Sequence, residues 1–316
     1  MRILFTCVGR RVELVQAFYA AAKKCGEKLE IYATDMTMTA PAIAFCDKGF
    51  TAPRISDTAY IPFLLKLCKE EKIDAVIPTI DTDLLILAEN KNAFEAIGVK
   101  VFVAAPEKVR ICRDKRYTSE YFESLGLSAP KATGDIASYT GGFPAFIKPK
   151  DGSSSINAYK VENERDLKTY AEKIGEYVVQ PFVSGTEYTV DIFCDEKGNP
   201  IYITPRIRLA VRAGEVLKTE IRQDESIIEQ MQVLAADFKP SGGITVQLIQ
   251  DEKTKTNYYI EINPRFGGGA PLSMKAGADA AEALIRILRG ETLAFQKGAA
   301  EDGAIYSRFD QSVRVN

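Results

Sequence analysis

Residues 243–269 constrain this chain more than any other stretch. Gly243-Ile-Thr-Val-Gln247-Leu-Ile-Gln250 and Tyr258-Tyr-Ile-Glu261-Ile-Asn263 are two runs rich in β-branched and aromatic residues, separated by a charged break. Such runs pair as antiparallel strands across a turn, here centred near Thr254, and the pairing sets Gln247 opposite Glu261. Side chains alternate along a strand, so Tyr259, Glu261 and Asn263 are expected on one face with Gln247, while Ile260 and Ile262 point into a core. Three oxygen-bearing side chains on one surface suit a hard cation such as Mg²⁺, which takes carboxylate and amide oxygens and leaves room for water and phosphate. Gln247, Glu261 and Asn263 are therefore the candidate metal ligands. Pro264 ends the strand, Arg265 offers a planar positive fork suited to a phosphoryl group, and Gly267, Gly268 and Gly269 permit close backbone approach. The plain alternative is a solvated strand face followed by a turn.

The chain has no histidine, which removes imidazole proton shuttles, His-ligated zinc and serine or cysteine triads together. Phosphoryl transfer tolerates that limit, because it depends mainly on positioning and charge neutralisation. With 316 residues, 46% hydrophobic content and a formal charge of −2, the chain can bury a large core and has no global field for nucleic acid or anionic membrane. No apolar run approaches a membrane span, and Met1-Arg2-Ile3 leads directly into a strand pattern, so a cytoplasmic protein is expected. The six cysteines form no C-x-x-C pair and read as reduced, mostly buried thiols.

Along residues 1–105, strand and helix patterns alternate. Strands are expected at Arg2 to Thr6, Leu29 to Ala33, Ala75 to Pro78 and Lys100 to Val103, in a doubly wound parallel sheet of Rossmann-like type. Ligands bind beyond the carboxyl ends of such strands, which here carry Gly9-Arg10-Arg11, Thr34-Asp35 and Pro78 to Asp83. The first turn lacks G-x-G-x-x-G. Its Gly9, Arg10 and Arg11 read either as a solvated helix end or as a seat for a small anionic substrate. One helix is expected from Pro106 to near Gly126, carrying Arg110, Arg113, Lys115 and Arg116. Beyond it, Phe143 to Lys148 is a strand feeding a loop whose Gly152, Ser153, Ser154 and Ser155 can wrap phosphates. Arg206, Arg208 and Arg212 follow a strand at Ile201 to Thr204 and read as an acceptor-facing anion clamp, or else as a solvated loop.

Lys115, Phe-Ile-Lys148-Pro, the Gly152 to Ser155 loop, Gln180 to Val183, Gly185-x-Glu187, Gln247 and Glu261-Ile-Asn263-Pro-Arg265, in that order, resemble the ATP-grasp superfamily. The nearest likeness is to the carbamoyl-phosphate synthase large chain and its single-unit carboxylate-amine ligase relatives. The resemblance implies an α/β chain with a pre-ATP-grasp domain at 1–105. Two α+β subdomains would follow, at 106–183 with the phosphate loop and at 184–316 with the metal site. It implies that Lys115 and Lys148 contact ATP phosphates and that Gly152, Ser153, Ser154 and Ser155 close over them. Gln180, Pro181, Phe182 and Val183 would bind adenine and Glu187 the ribose. Gln247, Glu261 and Asn263 would hold Mg²⁺ or Mn²⁺, and Arg265 with Lys148 would act in phosphoryl transfer.

The expected activity is an ATP- and Mg²⁺-dependent ligase that forms an acyl phosphate from a carboxylate and then a C–N bond with an amine. Its partners would be those two small molecules, with a homodimer as one open assembly. The first rival is a carbamoyl-phosphate synthase-like subunit using bicarbonate and ammonia with a partner protein; a second is a regulatory module that holds ATP without turnover.

Overall fold

The computed structural model describes residues 1–151 and 156–315. Five parallel strands open the chain: β1 (Arg2–Thr6), β2 (Glu30–Asp35), β3 (Lys48–Thr51), β4 (Ala75–Pro78) and β5 (Lys100–Val101). They are connected across the sheet faces by α1 (Val12–Lys24), α2 (Tyr60–Glu70), α3 (Leu84–Glu89) and α4 (Lys91–Glu95). The strand order is β3-β2-β1-β4-β5, so the chain reverses its winding beside β1 and opens a crevice at the carboxyl ends of β1 and β4. β3 was not expected: Lys48-Gly-Phe-Thr is a short, half-exposed edge strand without the apolar run of its neighbours.

The helix expected from Pro106 to Gly126 is two helices, α5 (Pro106–Arg113) and α6 (Lys115–Ser124). Asp114 divides them. Its backbone is extended at φ −112°, ψ 117°, and its carboxylate caps the new helix by accepting from the Arg116 N–H at 2.9 Å. Aspartate gains more from such a local acceptor role than from helix interior, so the 3.6-residue pattern continues while the backbone breaks. Next come β6 (Ala145–Pro149), β7 (Tyr159–Val161), α7 (Glu164–Ile174) and β8 (Tyr177–Pro181). The strands form an antiparallel sheet, β7-β6-β8, with a separate small core of Ala145, Ile147, Val161, Leu167, Ala171 and Val179.

The large sheet uses β9 (Gly185–Cys194), β10 (Pro200–Arg212), β11 (Glu215–Ile221), β12 (Gly242–Asp251), β13 (Asn257–Asn263) and β14 (Ile305–Ser307). All are antiparallel, in the order β13-β12-β9-β10-β11-β14. The helices α8 (Glu225–Phe238), α9 (Ala270–Lys275) and α10 (Ala280–Leu288) complete this part. The expected apolar stripe of α8, Ile227, Met231, Leu234, Ala235 and Phe238, is fully buried. Each of its larger aliphatic side chains contributes roughly 2 kcal/mol by burial. One continuous core joins Leu4, Val76 and Val101 of the first sheet to Val190, Ile192, Val246 and Met231.

Gln247 does face Glu261, with the turn at 252–256, as the pattern predicts. The alternation past that pair fails. The next partners are Leu248 and Tyr259, so Ile260 is an extra residue, a β-bulge. The bulge turns Tyr259 away from Glu261 and into the core, where its ring lies 5.2 Å from Phe122 and its hydroxyl donates to Gln230 Oε1 at 2.6 Å. Ile262 is buried as expected, whereas Ile260 is only partly covered.

Candidate functional site

Cross-strand partners share a face, so the register of the large sheet lays out the site directly. Asn263, Thr245, Asp191 and Thr204 form one row across β13, β12, β9 and β10, and Glu261, Gln247, Thr189 and Arg206 form the next. Asn263 Nδ2 donates to Glu261 Oε1 at 2.6 Å, which leaves its amide oxygen facing Arg265 Nη2 at 3.3 Å. The three expected metal ligands therefore do meet on one surface. Glu187 lies further along β9, exposed, with its carboxylate 3.4 Å from Arg208 Nε.

Two lysines approach this face from other elements. Lys148, on β6, is 6% exposed, and burial pulls its ammonium down to about 8; the Glu261 carboxylate opposes that shift and the Lys115 ammonium adds to it. Lys115 begins α6 and is also lowered by burial, with Glu261, Asp151 and Asp114 opposing. Its backbone N–H donates to Lys150 O at 3.0 Å, tying α6 to the end of β6. Gly152, Ser153, Ser154 and Ser155 lie outside the described residues. Gln180 is buried on β8 opposite Phe146, and the Phe182 N–H donates to Pro144 O at 3.1 Å. Pro181 and Val183 sit beside them, so the four residues expected at adenine form the crossing from the small sheet to β9.

The arginine segment differs from its expected form. Arg206, Arg208 and Arg212 do not follow a strand but lie within β10, which runs on to Arg212 against β11, with register shifts after Arg208. Arg206 is buried, its Nε donating to Asp191 Oδ2 at 2.7 Å; Ser273 donates to the same oxygen at 2.6 Å. Arg208 lines the site face and reaches Gly214 O at 3.1 Å, whereas Arg212 is exposed and pairs with Asp310. The structure does not bring these three together as a clamp: alternation alone would put them on one face, but the register shifts after Arg208 and their separate partners give them different surroundings. The glycine triplet Gly267, Gly268 and Gly269 packs against the chain's own side chains. A Cβ on Gly267 would meet Thr245 Oγ1 at 2.7 Å, one on Gly268 would run into Glu215 Oε2, and one on Gly269 would meet Arg206 Nη2 at 2.8 Å. The close approach these glycines permit is made by the chain's own side chains.

At the crevice of the first sheet, Gly9 has φ +48° and its N–H donates to Asp35 Oδ2 at 2.9 Å. Arg10 is exposed. Arg11 is half-buried, donates to Thr79 O at 3.1 Å, and is pulled down to about 10 by burial and the nearby Arg265 charge, with Glu215 and Asp81 opposing. Arg265 crosses to this crevice: its Nη2 lies 2.7 Å from Asp81 Oδ2. Glu215 and Arg308, 3.2 Å apart, join the group from β11 and the chain end. Reasoning from sequence missed both, since nothing local marks a residue that becomes a neighbour only through sheet order.

Beneath the turn, Asp83 is 0% exposed and accepts from Thr6 Oγ1 at 2.6 Å and Tyr60 OH at 3.2 Å, while its Oδ1 has no partner among the described residues. Burial pushes this carboxyl up to about 6. A raised folded value means its contribution to stability is full below about 3.8 and is lost as pH rises through about 6. Asp83→Asn should remove that pH-dependent part. Relative to the wild type, the variant should gain ~3 kcal/mol in urea unfolding between pH 4 and pH 8; a difference that stays constant with pH would refute the assignment.

A family described as "PylC-like, N-terminal domain" matches residues 3–102, and one described as "ATP-grasp in the biosynthetic pathway with Ter operon" matches residues 173–310. Residues 173–310 thus match an ATP-grasp family. The biotin carboxylase domain dimer of Hydrogenobacter thermophilus 2-oxoglutarate carboxylase, solved with MgADP, ADP and bicarbonate, superposes on this chain with a TM-score of 0.74. Identity there is 17%, over 96% of this chain and 73% of that one. Among curated proteins, the carbamoyl phosphate synthase large chain of Thermotoga petrophila is 24% identical over 72% of this chain and 24% of its own length. The 3-methyl-D-ornithine–L-lysine ligase of Methanosarcina mazei is 26% identical over 70% of this chain and 58% of its own. The chain thus spans about a quarter of the large chains it matches. Among its described residues, no helix is long and apolar enough to cross a membrane.

Proposed function

We propose that this chain is an ATP- and Mg²⁺-dependent carboxylate-amine ligase. The observation that carries the reading is the convergence of Lys148 and Lys115 with Glu261, brought from separate elements to one face beside Asn263, Gln247 and Arg265. In this reading residues 1–105 hold a co-substrate at Gly9, Arg10 and Arg11, residues 106–183 cover the phosphates, and residues 184–316 supply the metal ligands. The adenine would lie along Gln180 to Val183, its ribose near Glu187.

The donor set fits a hard cation. One carboxylate and two amide oxygens line the surface, and such hard oxygen donors suit Mg²⁺ or Mn²⁺ better than a soft metal. A divalent ion held by Gln247, Glu261 and Asn263 would neutralise charge on the transferring phosphoryl group. Lys148 and Arg265 stabilise that charge as a carboxylate oxygen of the acid bonds to the γ-phosphorus and the bond to ADP breaks. The amine nitrogen then bonds to the acyl carbon, phosphate leaves, and the amine's proton passes to solvent or to a carboxylate.

The test is ADP formation with MgATP across pools of amino acids and other small carboxylates, with bicarbonate as a separate arm and hydroxylamine to trap the activated acid as a hydroxamate. An organic acid should stimulate ADP release and yield a hydroxamate. Stimulation by bicarbonate and ammonia alone, with carbamoyl phosphate as product, would replace this reading with the carbamoyl-phosphate synthase-like one.

A further inference from the structure

The Arg265–Asp81 contact has an unusual shape for an arginine–carboxylate pair. A guanidinium receives a carboxylate best through two parallel N–H donors, either the two terminal nitrogens or Nε with its neighbouring terminal nitrogen. Asp81 takes Nη2 at 2.7 Å through one oxygen only, while Nε is buried and has no hydrogen-bond partner among the described residues. Nη1 is turned to Phe266 O at 3.3 Å. The anion seat on Arg265 is therefore half filled.

Its surroundings favour an anion that can move. Arg11 is close enough for the two guanidinium charges to oppose each other, and it spends a donor on a backbone carbonyl, Thr79 O. Asp81 lies in a bend between β4 and α3, so its side chain can swing out without breaking a strand or helix hydrogen bond. Its side chain is also 36% exposed against 12% for Arg265, so water can receive the displaced carboxylate. A fixed structural strut would instead be expected to use both oxygens and bury both partners.

We infer that Asp81 is an internal stand-in for the acid substrate. Its carboxylate occupies the Arg265 seat until an external carboxylate, held between Arg265 and Arg11, displaces it. Asp81 is a positioning residue. It shields the phosphoryl-directed arginine and makes its availability depend on the acid. The inference rests on the ligase reading for the identity of the anion, but not for the existence of the seat.

The decisive titration uses acetate and inorganic phosphate, without nucleotide, against wild type, Asp81→Asn, Asp81→Glu and Arg265→Ala, followed calorimetrically. If Asp81 fills the seat about nine-tenths of the time, its removal tightens external anions ~10-fold, because apparent affinity scales with the competent fraction. Asp81→Asn should therefore bind both probes ~10-fold more tightly than wild type, Asp81→Glu should stay near wild type, and Arg265→Ala should lose binding. Equal affinity in Asp81→Asn and wild type, or tightening that survives in the Arg265→Ala, Asp81→Asn double variant, would overturn the inference. An ADP assay alongside keeps the two readings apart. If wild type releases ADP as fast without acid as with it, the ligase reading fails while the anion titration still decides the seat. If the ligase reading holds, Asp81→Asn should also raise acid-independent ADP release ~10-fold.

Discussion

Glu261→Gln will lower acid-dependent ADP formation at least ~1000-fold, the size expected when a transition-state charge contact and a metal ligand are lost together. Glu261 is the one carboxylate among the three expected metal ligands, and glutamine keeps its shape and still offers an oxygen to Asn263 Nδ2. What disappears is charge. The same carboxylate opposes the lowering of Lys148, Lys115 and Arg208, so its loss leaves three cations around a weakened cation site. The fold should survive, since Glu261 is only partly buried and lies outside the core clusters. Wild-type turnover in a folded Glu261→Gln protein would remove the metal assignment.

Lys148→Met is the second large effect, with two readouts of opposite sign. Activity should fall by ~100-fold or more, as for loss of one contact to the transferring group. Stability at pH 7 should rise by ~1–3 kcal/mol, because methionine keeps the aliphatic volume while removing a buried charge. The sign follows from the depressed lysine. Below about 8 its ammonium is charged in both states and the fold bears the full burial cost; that cost disappears as pH rises toward 10.5. The advantage of methionine should therefore vanish by about pH 10.5. Binding of ADP to the wild type near pH 8 should take up about half a proton, because phosphates draw the lysine back to its charged form. Calorimetry in buffers of different ionisation heat measures this, and Lys148→Met should not show it. A variant less stable at pH 7, with unchanged turnover, would place the phosphates elsewhere.

These two sites show what could be read from sequence. The β12–β13 pair was legible because β-branched alternation and a charged turn fix register locally, and Gln247 met Glu261 as that pattern requires. Tyr259 was misplaced because a bulge is a single inserted residue that leaves composition unchanged. The split of α5 from α6 was hidden because Asp114 acts as a cap within a continuing helical pattern. Residues tied by charge across long separations, such as Asp81 with Arg265 or Arg308 with Glu215, leave no periodic trace at all. Arg206 was seen as a candidate, but its burial beside Asp191 follows from sheet order, which no local pattern encodes.

The 184-residue separation of Asp81 and Arg265 also bears on how the protein is made. At ribosomal speeds of roughly 5–20 residues per second, the parallel sheet waits on the order of 10–40 s before the arginine emerges. During that interval Leu4, Val76 and Val101 lack the strands and helix that later share their core. A nascent chain of this design therefore shows an apolar face to the cell before it has any competent site. Variants that weaken the late strands should be lost first to aggregation or proteolysis, and yield in cells, rather than turnover of the surviving protein, is where their cost would be seen.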